Sequence, residues 1–275
     1  MLAVNNVKLS TGATMPQLGF GVWQVPDAEA TPAVAEALKA GYRSIDTAAA
    51  YGNESGVGQA IAQSDVDRDD VFVTTKLWNA DHGHDKTLRA FDSSLRKLGL
   101  DVLDLYLIHW PTPARDLYVD TWKAFVELQK EGRVRAIGVS NFQPAHLSRL
   151  IDETGVAPAV NQIELHPYLQ QTELRAFHAE HGIQTEAWSP LGQGGELLSD
   201  PVVAEIAARH GRSAAQVVLR WHLQIGNVVI PKSVTPSRIR ENIAVFDFEL
   251  SDEEVAALST LDRGGRIGPN PDQLN

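Results

Sequence analysis

Along most of this chain, short apolar runs alternate with stretches in which apolar positions recur every three or four residues. The runs read as strands: "LGFGVW" at 18 to 23, "RSID" at 43 to 46, "VFVTTKL" at 71 to 77, and "VLDLYLIHW" at 102 to 110. They continue with "VRAIGVSN" at 134 to 141, "AVNQIEL" at 159 to 165, "IQTEAWS" at 183 to 189, and "NVVIPKS" at 227 to 233. Helical periodicity fills the gaps, as in "AEATPAVAEALKA", "KTLRAFDSSLRKLG" and "YVDTWKAFVELQKEG", and several of these stretches close on the glycine that helix C-termini favour. Ahead of the first strand, "STGA" sits between two short alternating pieces and reads as a hairpin turn. Strand and helix signals alternate in register with no linker rich in Pro, Gly or Ser. This predicts an α/β fold, one (β/α)8 TIM barrel spanning 1–275, rather than two doubly wound domains. An N-terminal β-hairpin and an additional C-terminal helix, "SDEEVAALSTLD", complete the expectation, followed by a polar tail.

In such a barrel the site lies where the strands end at their C-terminal mouths. The strands end in Asp46, Lys76, His109, Ser140 with Asn141, Gln162 with Glu164, Trp188 with Ser189, and Lys232 with Ser233. One polar strand end commonly marks no more than the place where a strand meets water. Together they point to a shared polar site. Tyr51 stands five residues after Asp46 among small residues. A phenol ionises near pH ~10 and donates its proton poorly at neutral pH unless its phenolate is favoured. An ammonium within reach favours it, and a carboxylate behind the ammonium keeps that charge in place. Asp46, Lys76 and Tyr51 can form such a chain, with His109 aligning a carbonyl oxygen or joining the proton relay.

The formal net charge of -11 argues against a sequence-independent nucleic-acid binder, but leaves room for a small anion at a local basic cluster. "IPKSVTPSRIREN" offers one: Thr235 and Pro236 read as N-cap and first turn of a helix beside Lys232, Ser233 and Arg238. Cysteine is absent, which excludes disulfides, thiolate zinc sites and a cysteine nucleophile. "HGHD" at 82 to 85 puts two histidines in an apparent loop, which favours a solvated turn over a metal site, so none is expected. A "GxGxxG" fingerprint after the first strand is missing, which argues against a Rossmann dehydrogenase. With no leader-like or membrane-length apolar run, and no heptad, the expectation is a cytoplasmic monomer that binds no membrane.

"GYRSIDTAAAYGNESGVGQAI", "KLW", "DLYLIHWP", "IGVSNF", "NQIELHP" and "VIPKSVTPSRIREN" occur in one order along the chain. In these motifs it resembles the aldo-keto reductase superfamily, most closely the short bacterial 2,5-diketo-D-gluconate reductase type. The resemblance implies an NADPH-dependent carbonyl reductase that works without metal. Its catalytic tetrad would be Asp46, Tyr51, Lys76 and His109, with Tyr51 as general acid. It implies that Ser140, Asn141 and Gln162 hold the nicotinamide carboxamide and that Trp188 stacks on the ring. Ser189, Leu191 and Gly192 would fold over the pyrophosphate; Lys232, Ser233 and Arg238 would take the 2′-phosphate; Glu241 and Asn242 would lie near the adenine. Trp23, Trp78 and Trp110 would wall the substrate pocket, and the short segment "TPARDLY" and short tail suggest an open mouth. Small aldehydes, α-dicarbonyls and keto sugars are the expected substrates. Two other readings remain: a barrel lyase or isomerase using Lys76 as a Schiff-base nucleophile, and a binding protein that keeps the fold without turnover.

Overall fold

A computed structural model describes residues 4–275; residues 1–3 of the expected span lie outside the described residues. Strands β1 (Asn6–Lys8) and β2 (Thr14–Pro16) form the antiparallel hairpin. The barrel follows as β3 (Phe20–Gly21), β4 (Ser44–Asp46), β5 (Phe72–Leu77), β6 (Leu103–Ile108), β7 (Val134–Ser140), β8 (Val160–Glu164), β9 (Gln184–Trp188) and β10 (Val228–Val229). Each strand pairs in parallel with its neighbour in chain order. Bridges from Leu18 to Val229 and from Gly21 to Lys232 return the last strand to the first. The ring is thereby closed, which protects the strand edges that an open sheet would expose.

Among the described residues ten helices surround it: α1 (Asp27–Ala40), α2 (Glu54–Gln63), α3 (His84–Leu98), α4 (Tyr118–Lys130), α5 (Pro144–Thr154), α6 (Thr172–Glu180), α7 (Pro201–His210), α8 (Ala214–Gln224), α9 (Pro236–Ile243) and α10 (Asp252–Ser259). Apolar faces of these helices pack on the outward strand residues in one continuous core that includes Phe91, Tyr106, Trp122, Phe125 and Trp221. The helix after the last barrel strand is α9; α10, outside the eightfold pattern, starts at a Ser251–Glu254 capping box and packs against α7 and α8.

Helix α2 is absent from the sequence reading, and its two glycines explain why. A Cβ at Gly56 would overlap the Asp27 carbonyl oxygen of α1, and one at Gly58 would overlap the Leu98 carbonyl oxygen of α3. These glycines permit backbone contact with both neighbours. In sequence they imitate a loop.

Inside the ring, the hairpin's Leu9 and Met15 join Phe72, Leu105, Leu107, Ala136, Val160 and Val228 in a separate apolar cluster. Several of these residues begin their strands, so this cluster plugs the N-terminal end. Toward the other end the interior turns polar, and there Asp46, Lys76, Gln162 and Glu186 are all buried. Among the described residues no helix is long and apolar enough to cross a membrane.

Candidate active site

Asp46 ends β4, Tyr51 closes the 3-10 turn Ala49–Tyr51 just after it, and Lys76 is the penultimate residue of β5. The Lys76 ammonium donates to Asp46 Oδ1 at 2.6 Å, to the Thr47 carbonyl at 2.8 Å and to Tyr51 Oη at 3.4 Å. Three N–H groups therefore meet three oxygens. With an oxygen lone pair turned to Lys76, the Tyr51 hydroxyl proton is free to face the mouth.

Burial alone would push the Lys76 ammonium down, but Asp46, with Tyr51 behind it, holds it above the ordinary lysine value. Burial pushes the Tyr51 phenol up, against the opposing pull of Lys76. The phenol thus keeps its proton at neutral pH, as a proton donor must. Its net shift is upward, whereas the sequence alone points to the lysine's lowering effect. His109, just past β6, is held well below the ordinary histidine range by burial and by Lys76, so its ring is neutral. The rings of Tyr51 and Trp78 meet it edge-on, with centroids at 5.8 and 5.3 Å, and Trp110 lies nearly parallel beside it.

The next strand ends form a second linked set. Ser140 Oγ donates to the Gln162 carbonyl at 2.7 Å, and Asn141 Nδ2 donates to the His109 carbonyl and to Ser140 Oγ. The Trp188 indole N–H donates to Asn141 Oδ1 at 2.8 Å. Asn141 and Ser189 carry φ of 63° and 47°, left-handed values that cost a non-glycine residue about 1 kcal/mol or more. At Asn141 this backbone goes with side-chain bonds to residues at the ends of β6 and β9.

Beyond Trp188 the chain forms a loop in which Ser189 and Leu191 are half-buried and Gly192 is buried with φ of 59°. His222 of α8 fastens its base by donating from Nε2 to the Pro190 carbonyl at 3.0 Å. Lys232 and Arg238 lie exposed near the start of α9, and among the described residues neither has a carboxylate partner. Thr235 occupies the N-cap position as expected, but its side chain makes no capping bond; Ser233 Oγ takes the Thr235 N–H at 3.1 Å instead. Glu241 accepts from Ser213 Oγ at the start of α8, and Asn242 is buried next to it.

Residues 11–263 of this chain match the aldo/keto reductase family model. The chain belongs to that family. An aldo-keto reductase of Mycolicibacterium smegmatis is 59% identical over 98% of each chain. The methylglyoxal reductase DkgA of Escherichia coli is 57% identical, covering 98% of this chain and 97% of its own. Among solved structures, a mutant of Gox0644 in complex with NADPH superposes with a TM-score of 0.96 at 53% identity over 100% of both chains. A Bombyx mori aldo-keto reductase in complex with NADP does so with a TM-score of 0.91 at 37% identity, over 99% of this chain and 97% of that one.

Around this aldo-keto reductase mouth, Trp23 and Trp78 are partly exposed, at 43% and 37%, whereas Trp110 is only 8% exposed and lies beside His109. The tail is less free than its polar composition suggests. Glu164 accepts backbone N–H bonds from Ile267 at 2.6 Å and Gly268 at 2.8 Å, with His166 Nε2 donating at 3.0 Å. Burial pushes this carboxyl up, but these donors hold it below its ordinary value. The Ala114 N–H, in the loop after β6, donates to Asn275 Oδ1 at 2.7 Å, so the last residues lie along the rim. His82 of "HGHD" is buried against Thr112, while His84 begins α3 and pairs with Asp85 and Glu127. Glu186, two residues before Trp188, escapes the sequence reading. Its only signal there is a carboxylate at an inward position of a strand.

Proposed function

We propose that this aldo-keto reductase reduces small carbonyl compounds with NADPH, and that Tyr51 is the general acid. The observation that carries the reading is the fully buried Lys76, whose three donors go to Asp46, Thr47 and Tyr51. Bound NADPH supplies the hydride. The chain's own part is to give the carbonyl oxygen a proton and to hold substrate and cofactor in line. Tyr51 donates that proton, and Lys76 stabilises the phenolate left behind. Asp46 keeps Lys76 charged and fixed. His109, neutral, offers a hydrogen bond that orients the carbonyl oxygen without competing for the proton.

The cofactor fits these residues on two counts. Lys232 and Arg238 are cations without carboxylate partners among the described residues, beside the N-terminal turn of α9, the setting a 2′-phosphate requires. Ser140, Asn141, Gln162 and Trp188, linked to one another at the ends of β7 to β9, would receive the nicotinamide. Ser189, Leu191 and Gly192 would cover the pyrophosphate, and Glu241 and Asn242 would meet the adenine. Trp23, Trp78 and Trp110 give the substrate site apolar walls. Small aldehydes, α-dicarbonyls and keto sugars suit it, and the name of the Escherichia coli relative puts methylglyoxal first.

Use of Lys76 as a Schiff-base nucleophile is disfavoured, because an amine held charged by a carboxylate has no free lone pair. The test is an indole-fluorescence titration with NADPH and NADH, then NADPH oxidation with methylglyoxal. NADPH-preferring quenching with turnover is expected. Binding without turnover on a carbonyl panel would favour a regulatory protein, and no binding would reopen the lyase reading.

A further inference from the structure

Glu186 is a fully buried acid that the proposed chemistry does not use. It lies on β9 opposite Gln162 of β8, two residues before Trp188 and so on the same inward face. Gln162 Nε2 donates to Asp46 Oδ2 at 2.8 Å and to Glu186 Oε2 at 3.0 Å. A carboxamide NH2 has two hydrogens, and here each has an acceptor. The carbonyl oxygen is the one part of the Gln162 amide left for a ligand. The terminal torsion of a glutamine is broad and nearly two-fold, so a single acceptor would leave the amide free to swing. Two acceptors on different strands define it.

We propose that Glu186 is a positioning residue: it fixes the Gln162 amide so that its carbonyl oxygen, and not its NH2, meets the nicotinamide carboxamide. It thereby sets how the ring lies against Tyr51 and His109. This rests on the reading in which Gln162 receives the nicotinamide. A buried carboxyl is a costly way to fill space, since an apolar side chain would pack there without the polar cost. Its retention is accounted for if its acceptor oxygen is needed. Burial, then the adjacent Asp46 charge, pushes the Glu186 carboxyl up to about 8, so it remains a neutral acceptor at physiological pH. The ionisable groups facing it are Asp46 of β4 and Lys76 of β5, with Tyr51 behind Lys76; its other strand neighbour, β10, contributes Val228 and Val229. Among the described residues its Oε1 is buried without a partner.

The test compares Glu186→Leu and Glu186→Gln for binding of NADPH and of 2′-phospho-ADP-ribose, which lacks only the nicotinamide. Glu186→Leu is expected to weaken NADPH by about tenfold, the size of one lost buried hydrogen bond, while 2′-phospho-ADP-ribose binds as before. Glu186→Gln keeps an acceptor oxygen, so it should bind NADPH within about twofold of the parent on the same scale. Its pH profile should also lose any limb above the ordinary carboxyl range that comes from Glu186. Glu186→Leu combined with Gln162→Leu should lose no more than the larger single effect. Equal weakening of both ligands by Glu186→Leu, full additivity, or a Glu186→Gln loss on NADPH alone as large as that of Glu186→Leu would each overturn the proposal. Should Glu186→Leu fail to fold, the Glu186→Gln affinity and pH profile decide alone. A parent protein that bound neither ligand would instead remove the cofactor reading on which this depends.

Discussion

The Lys76 ammonium and the Asp46 carboxylate meet at 2.6 Å with almost no water in contact with either side chain. Removing one member of such a pair leaves the other charged and uncompensated in a dry interior, which costs about 3–5 kcal/mol. Asp46→Asn is therefore expected to lower unfolding stability by that order and to reduce turnover sharply. Because the pair raises Lys76 above its unfolded value of 10.5, its stabilisation is fully present below that pH and is lost only as pH climbs through the higher folded value. Without Asp46, burial pushes Lys76 down, so in urea unfolding from pH 6 to 9 the gap between parent and variant should be largest at pH 6 and narrow as pH rises; a gap that widens with pH would contradict the charged Lys76.

Tyr51→Phe keeps an aromatic ring beside Lys76 and His109 and removes a single oxygen. Loss of a general acid lowers kcat by about 10²- to 10⁴-fold. The NADPH dissociation constant should scarcely move, because the cofactor's proposed contacts lie on other strands. Single-turnover kinetics with methylglyoxal would check this, and unchanged turnover would remove Tyr51 as the acid.

How much of this is legible in the sequence follows from the range over which each feature is encoded. Strands and most helices are written in local periodicity, and Asp46, Lys76 and His109 stand at strand ends where an apolar run breaks on an ionisable residue, with Tyr51 in the turn that follows the first of them. Helix α2 is hidden because Gly56 and Gly58 serve contacts with Asp27 and Leu98, which are remote in sequence. The tail clamp is hidden for the same reason, since Glu164 finds its donors about a hundred residues away at Ile267 and Gly268. Glu186 belongs to no pattern at all; pairing of β9 with β8 sets it beside Gln162, and the curl of the ring brings Asp46 to the same amide.

Arg238 stands exposed near the first turn of α9 with no carboxylate partner among the described residues. If it takes the 2′-phosphate, Arg238→Ala removes a charge-assisted hydrogen bond of roughly 1.5 to 3 kcal/mol from NADPH and nothing from NADH. Paired fluorescence titrations give the ratio directly. Equal weakening of the two cofactors would assign the phosphate elsewhere.

Gly58 lets α2 lie against the end of α3 at a spacing that a methyl group would overlap at the Leu98 carbonyl. Backbone cannot yield as a flexible side chain can. Gly58→Ala should destabilise by about 1–3 kcal/mol even though alanine is the better helix former. A thermal melt would register this as a lower Tm; an unchanged or raised Tm would mean that the α2–α3 contact has slack.

Two buried histidines that take no part in the proposed proton transfer give the protein an acid-sensitive core. His178 of α6 faces Asn161 Nδ2, itself a donor, with Nε2 at 2.9 Å, and contacts Thr185 Oγ1 through Nδ1 at 2.8 Å. Nε2 must therefore accept, and a second ring proton would set two donors against each other. Burial, then Arg175, lowers His178 to about 4, and burial lowers His222 to about 3, against an unfolded value of 6.5. Below pH 6.5 the unfolded chain binds protons that the folded chain refuses, so this stabilisation is present above that value and is lost as pH falls toward the folded values. The slope is about 1.4 kcal/mol per pH unit for each group, or on the order of 2 kcal/mol apiece by pH 5. His178→Gln, which cannot take that proton, should lower stability at pH 7 yet flatten the decline between pH 7 and 5. Parallel declines in parent and variant would show that His178 is not one of the groups responsible.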